Sequence, residues 1–332
     1  MIQKNEWMGL SGRYTRSVDV LTALQDKLVL ITGGAGFIGR HLTGTLFAAG
    51  ASVRVLDDLS NSVPDGLAAA VDLRIGGIED SAMRTSSLAG VDAVINLAAM
   101  ASVPRCEAEP ELNVAINHRA AADLFRQAAG LGLPIVHAST AALYGVPETE
   151  TISESHPVKP ISAYGEAKQD AENDLIKLDH PVCALRLFNV FGPGQPKDSP
   201  YSGVLTIFTH RLSHGLPITI HGDGGQTRDF IHVNDIAAAF ALATASLLEL
   251  GRDSPAAGRV FNVCTGEART LNEITEILAT ATEMVCVIEH GPAREGDIRH
   301  SVGESDAIVE AIGWQPSVDF STGLSELMSV SS

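Results

Sequence analysis

From Lys27 the chain alternates short apolar runs with longer stretches in which apolar positions recur at helical spacing. Lys27–Thr32 (KLVLIT) runs into a glycine cluster and predicts a strand. Phe37–Ala49 predicts a helix that stops at Gly50. Ser52–Leu56 predicts a second strand, followed directly by Asp57 and Asp58, and Leu73–Ile75 a third. Ala93–Leu97 is the continuous apolar run of a parallel strand buried on both faces. An alanine-rich helix over Asn117–Ala129, a strand over Ile135–Ser139, a helix over Tyr164–Leu178 and a strand over Val182–Phe188 complete the rhythm. Strands alternating with helices predict an α/β protein with a Rossmann-like, doubly wound parallel sheet.

The rhythm changes after about Phe191. Gly192–Ser202 is rich in Gly, Pro and Ser and predicts a long loop. A helix near Val204–His214, a strand Ile218–His221, a helix from Asn234, a strand Val260–Cys264 and a helix Leu271–Thr280 follow. The expected organisation is an N-terminal extension over 1–26, a dinucleotide-binding domain over 27–190 and a smaller α/β substrate-binding lobe over 191–332. This division leaves room for short segments that return between the two lobes.

The first candidate site lies between the first strand and the first helix. Gly33, Gly36 and Gly39 are spaced G-x-x-G-x-x-G. Gly33 suits a tight turn, Gly36 lets backbone approach a pyrophosphate, and Gly39 lets helix pack on strand. The N-terminus of the following helix then aims unpaired N–H groups at the phosphates. Asp57, ending the next strand, suits the ribose hydroxyls of NAD and repels the 2′-phosphate of NADP. The nearby bases Arg40 and Arg54 sit early in a helix and mid-strand, where neither clearly favours NADP, so NAD is expected.

The second candidate site is Tyr164-Gly165-Glu166-Ala167-Lys168. It puts a phenol and an ammonium on one helix face, and a cation beside a phenol favours the phenolate that a general base requires. A surface Tyr–Lys pair has the same spacing, so the motif alone does not decide. Thr140 lies just past the end of the fifth strand, where parallel sheets bind ligands. Asn117 opens a helix, which is also the place of a simple N-cap.

Composition narrows the classes of partner. Forty acidic residues against 23 basic ones give a formal charge of −17. Such a chain is a poor sequence-independent binder of nucleic acid or anionic membrane, so any phosphate site must be built locally. The apolar runs fall short of a bilayer span, and the first 25 residues lack a secretory apolar core. Four dispersed cysteines and no metal-ligand spacing among 11 histidines point to a reduced, cytoplasmic setting without a metal.

Taken together the motifs resemble the extended short-chain dehydrogenases/reductases, specifically the NAD-dependent nucleotide-sugar epimerase/dehydratase family. The carriers are TGGAGFIG (32–39), DDLSN (57–61), NLAA (96–99), ASTAALYG (138–145), YGEAK (164–168), RLFNVFGPGQ (186–195), GDGGQTRDFIHVNDIA (222–237), FNVCTG (261–266) and REGDIRHS (294–301). The resemblance implies that Tyr164 is the acid/base on the sugar 4-hydroxyl. It implies that Lys168 tunes Tyr164 and holds the nicotinamide ribose, and that Thr140 bonds the same sugar hydroxyl. It assigns NAD contacts to Gly33, Gly36, Phe37, Ile38, Gly39, Asp57, Asp58, Asn61, Ile78, Leu97, Ala98, Ala99, Asn117, Tyr164, Lys168 and Phe188. Substrate contacts fall to Ser102, Thr140, Tyr164, Asn189, Gln195, Arg228, Arg294 and Ser301, with the two arginines as a diphosphate clamp.

There are departures from the family pattern. Gly77 stands where an adenine-facing carboxylate is common, leaving Glu79 or Asp80 as substitutes, and Asn96 stands where His is frequent. Dehydratases and the related decarboxylase commonly carry an acid just after the catalytic Ser/Thr. Here those positions are Ala141 and Ala142. The expectation is therefore a 4-epimerase working by transient C4 oxidation with bound NAD, rotation of the 4-keto sugar and its reduction on the other face. Small Ser301 implies acceptance of 2-acetamido sugars beside UDP-glucose and UDP-galactose. Uronate 4-epimerisation, 4,6-dehydration or decarboxylation are the alternatives, and a non-enzymatic NAD-binding protein is the remote one. The family also implies a homodimer.

Overall fold

The computed structural model describes residues 20–62, 66–196, 203–282, 286–293 and 298–329. Its centre is a seven-stranded sheet in the order β11-β6-β5-β4-β1-β2-β3. The strands are β1 (Leu28–Thr32), β2 (Ser52–Asp57), β3 (Asp72–Ile75), β4 (Ala93–Asn96), β5 (Ile135–Thr140), β6 (Val182–Leu187) and β11 (Arg259–Val263). Every neighbouring pair is parallel. Parallel strands need crossovers, and the crossing helices cover both faces. The sheet is thus the Rossmann-like one the alternation predicts, with the order reversing at β1.

One face packs against the helices Phe37–Ala48 and Val233–Leu250, with Trp314 buried at the edge of that cluster. The other face is covered by Ala121–Gly130 and Ala163–Ile176. Ala237, Ala239, Ala241, Ala243 and Ala245 are fully buried. Small side chains let the Val233–Leu250 helix lie close to its neighbours. The stretch Val233–Asp253 is long and apolar enough to cross a membrane, contrary to the sequence reading, but it is mostly buried inside the protein.

Among the described residues three small sheets accompany the large one. Strand β7 (Asn189–Phe191) pairs with β10 (Phe230–His232). Strand β8 (Ile218–His221) pairs with β13 (Ile288–Gly291). Strand β9 (Thr227–Arg228) lies between β12 (Arg269–Thr270) and β14 (His300–Ser301). The first two rest on a separate core that includes Phe191, Phe208, Phe230, Leu271 and Phe320.

The division expected at residue 190 is crossed. Strand β11 joins the large sheet beside β6, and the Val233–Leu250 helix packs on the same unit. The apolar edge of β6 requires a partner, and β11 supplies it. The helix expected to open at Asn117 also differs. Helical backbone begins at Pro110–Asn113, passes through a π-helical segment Val114–Ala120 and continues as Ala121–Gly130. Asn117 therefore lies inside a helix and is not its cap.

Candidate active site

The glycine loop is shaped by backbone contact. Gly33 has φ +70°, and a Cβ there would stand 2.7 Å from the amide nitrogen of Ala98. The loop after β1 thus lies on Leu97, Ala98 and Ala99, the loop after β4. Gly39 leaves no room either, because a Cβ would meet Gly34 Cα at 2.5 Å. Gly36 is the N-cap of the Phe37–Ala48 helix and offers no side chain to it. The first amides, from Phe37, Ile38 and Gly39, are left to an anion or solvent.

Asp57 is buried at the C-terminal end of β2. Its carboxylate accepts the Ala35 N–H (3.0 Å), the Leu59 N–H (2.9 Å) and the Ser62 hydroxyl (2.8 Å). It fixes the glycine loop and sets a negative charge at the strand end. Asp58 and Asn61 are exposed on the next turn, both bonded to Ser60. Arg54 is spent on Asp72 and on the carbonyls of Ser87 and Ala89, and Arg40 donates to Gly194 O. A backbone cradle, an uncapped helix and a carboxylate with both nearby bases engaged elsewhere fit NAD.

Ile78 is buried in the core below this loop. At Gly77 a Cβ would meet the Glu79 carboxylate at 2.1 Å. The Glu79 carboxylate thus fills the space beside Gly77. Asp80 is engaged as an N-cap, accepting from the Ala82 and Met83 amides.

Thr140 ends β5, and its hydroxyl oxygen accepts the Ala142 N–H at 3.1 Å, starting a 3₁₀ turn over Ala141–Tyr144. Ser162 caps the Ala163–Ile176 helix through the Gly165 N–H. A Cβ on Gly165 would meet Pro160 at 2.8 Å and Ala142 O at 3.2 Å. This glycine lets the helix start against the 3₁₀ turn, and the half-buried Tyr164 is hydrogen-bonded to Thr140. Burial pushes the phenol up to about 12, which the Thr140 bond opposes and the nearby Cys106 reinforces.

Lys168, one turn on, is buried. Its Nζ donates to Ala138 O at 2.5 Å and lies 3.2 Å from His137 Nε2. Burial brings this ammonium down to about 7, against the pull of Glu172.

Behind the pair sits a polar layer that sequence reasoning missed. Glu172 accepts a two-pronged bond from Arg186 (2.5 and 3.0 Å) and a third from Ser139 (2.5 Å). Arg186 also donates to Tyr144 Oη at 2.9 Å, and Tyr144 donates to Asn262 Oδ1 at 2.6 Å. On the other side His137 meets Asn96 (3.0 Å), which accepts from Thr32 (2.5 Å). The signal was a charged residue inside the apolar run of β6 and a glutamate one turn beyond Lys168.

Several expected contacts are engaged elsewhere. Asn117 clamps the Met100 backbone, accepting its N–H (2.8 Å) and donating to its carbonyl (3.0 Å). A π-turn is what re-aims this side chain out of the helical ladder. Ser102 caps the Val103–Ala108 helix through the Arg105 N–H, and Gln195 bridges Val190 O and Thr206. Phe188 is buried with Tyr144, Ile152 and Cys264, beneath Gly303.

Asn189, Arg228 and Ser301 are brought together. Arg228 and Ser301 are register partners across β9 and β14, and Asn189 donates to Asp229 O. Arg228 donates to the Thr227 and Ile298 carbonyls. The acids beside it in sequence are taken: Asp223 pairs with Arg299, and Asp229 accepts from Thr265, Gly266 and Gly303. Arg269, opposite Arg228 in register, pairs with Glu267 and stacks on the Phe320 ring. Arg294 lies outside the described residues.

Comparison with known proteins agrees with this geometry. The sequence pattern of the NAD dependent epimerase/dehydratase family matches residues 29–264. A UDP-glucose 4-epimerase of Mycolicibacterium smegmatis is 32% identical over 90% of this chain and 96% of its own length. A dTDP-glucose 4,6-dehydratase of an Actinoplanes species is 31% identical over 90% of this chain and 95% of its own. The UDP-N-acetylglucosamine 4-epimerase of Methanobrevibacter ruminantium, solved with UDP-N-acetylmuramic acid, superposes with TM-score 0.85 and 32% identity, covering 92% of this chain and 98% of that one. The Thermus thermophilus UDP-glucose 4-epimerase, solved with NAD, gives TM-score 0.81 at 32% identity and the same coverage.

Proposed function

This chain belongs to the NAD-dependent epimerase/dehydratase family, and from that premise we propose that it is a 4-epimerase of UDP-hexoses. Its substrates in this reading are UDP-glucose and UDP-galactose, with the 2-acetamido sugars accepted as well. The observation that carries the reading is the 3₁₀ turn after Thr140. Ala141 and Ala142 fill the two positions beside the Thr140–Tyr164 pair where an additional acid would stand. Elimination of water across C5–C6 needs such a proton donor. Epimerisation at C4 does not.

NAD, when bound, supplies reversible oxidation at C4. The glycine loop and the uncapped helix would hold its pyrophosphate, and Asp57 would receive its adenosine ribose. Tyr164 takes the proton of the 4-hydroxyl and returns it to the other epimer. Thr140 aligns that hydroxyl, and charged Lys168 stabilises the phenolate. Arg228 and Asn189 orient the nucleotide diphosphate. Ser301, across from Arg228, leaves space beside the sugar.

The test is purified protein with NAD and UDP-glucose. UDP-galactose should appear with no net NADH. A stable 4-keto-6-deoxy sugar would replace this reading with dehydration. Turnover of UDP-glucuronate alone would replace it with uronate epimerisation.

A further inference from the structure

The Lys168 amine sits at the end of a buried hydrogen-bond row whose polarity is set by the Asn96 amide. Thr32, Asn96 and His137 are fully buried, on β1, β4 and β5. The Thr32 hydroxyl donates to Asn96 Oδ1 at 2.5 Å. With Oδ1 so used, the Asn96 amide nitrogen, 3.0 Å from His137 Nδ1, is the donor in that contact. Nδ1 must then accept. A ring that accepts at Nδ1 carries its proton on Nε2, and Nε2 lies 3.2 Å from Lys168 Nζ. An ammonium has no lone pair to receive that N–H. A neutral amine has one, and keeps two protons of its own, one for Ala138 O.

We propose that Thr32, Asn96 and His137 form a positioning device that presents a fixed N–H donor to Lys168 and so favours its uncharged amine over the ammonium. The catalytic meaning rests on the Tyr164–Lys168 reading above. The charge state itself does not.

The surroundings agree. The Ala163–Ile176 helix places Tyr164 and Glu172 near the lysine, and β6 neutralises Glu172 through Arg186. Strand β5 contributes His137, which burial keeps neutral, and Cys106 of the Val103–Ala108 helix stands by Tyr164. Phe125 packs edge-on against the His137 ring, 5.1 Å between centroids, and fixes its plane. With Lys168 neutral the phenol is not activated. With Lys168 protonated it is. The row therefore sets the pH at which the acid/base pair switches.

The experiment is NMR on the NAD-loaded protein, with ¹⁵N in histidine and ¹³C at the lysine ε-carbon. At alkaline pH His137 should show the Nε2–H tautomer, and Lys168 should titrate within about one unit of pH 7. The carboxylate of an Asn96→Asp variant accepts from both Thr32 and Nδ1–H, so it should move His137 to the Nδ1–H tautomer and raise the Lys168 midpoint by about one pH unit or more. His137→Phe removes the N–H, should raise the midpoint likewise, and serves where the buried carboxylate of Asn96→Asp prevents folding. The alkaline limb of kcat should move with the midpoint. An Nδ1–H tautomer in the unsubstituted protein, or a Lys168 midpoint unmoved in His137→Phe, would overturn the proposal. Absence of epimerase activity with the tautomer and midpoints as stated would overturn the catalytic reading and leave the row intact.

Discussion

Lys168 shows how far a single residue's chemistry follows from its surroundings. A lysine in an unfolded chain holds its proton to about pH 10.4, but burial brings this one down to about 7. Between those values the unfolded chain binds the extra proton, so stability rises as pH rises through the window. Below it both states are charged and the full cost of burying the ammonium is present. Above it both are neutral and the cost is gone. Lys168→Met should therefore stabilise the protein at pH 6, by about 2 kcal/mol or more after loss of the Ala138 bond. The gain should vanish or reverse near pH 10.5. Urea unfolding at both pH values checks this, and an equal effect at both would contradict the low value. The motif spacing of Tyr164 and Lys168 was legible in the sequence. The charge state was not, because it depends on His137 and Asn96, which come from strands far apart in the chain.

At the scale of elements, the strand–helix alternation read correctly because a buried parallel strand has to be an apolar run and its crossover helix has to be amphipathic. What stayed hidden were features set by contact between elements. The π-turn at Val114–Ala120 leaves no local mark, and the Asn117 it carries is bonded to the Met100 backbone. The return of β11 to the large sheet could not be told from a lobe strand, since both are short apolar runs. Arg186 in β6 breaks the apolar pattern and so signalled a partner, which is Glu172 on the helix above. Both side chains are buried. A buried pair of this kind contributes little over apolar residues of the same shape, but removing one partner leaves a stranded charge. Glu172→Gln should cost about 3 to 5 kcal/mol in urea unfolding. The double change Glu172→Met with Arg186→Met should cost less than Glu172→Gln alone. Additive losses would mean that the pair is not the unit that holds helix and strand together.

At the scale of the molecule, the 40 acidic residues against 23 basic ones give a formal charge of −17. Part of the acid is in fact inside. Asp57, Asp229, Asp235 and Glu172 are all buried, and each gathers N–H or guanidinium donors from separate segments. Asp229 is the one that joins the small sheets to the large one. Its carboxylate accepts from Thr265 N–H and hydroxyl (2.9 and 2.7 Å) and from Gly266 and Gly303 N–H (2.8 and 3.3 Å). Its backbone accepts from Asn189 and donates to Ser301 O. Burial raises the Asp229 carboxyl above its ordinary value, and the bonds from Thr265, Gly266 and Gly303 oppose that shift. Asp229→Asn keeps the shape but turns an NH₂ toward donors on one side. Stranding one or two buried N–H groups should cost about 2 to 4 kcal/mol. The loosened strands are those carrying Asn189, Arg228 and Ser301, whereas Tyr164, Thr140 and Lys168 stand on the other unit. The KM for the nucleotide sugar should therefore rise about tenfold while kcat falls less than threefold, as a loss of uniform binding does. Steady-state kinetics with UDP-glucose decides it: a fall in kcat at unchanged KM would place Asp229 in support of the chemistry rather than of the substrate's diphosphate.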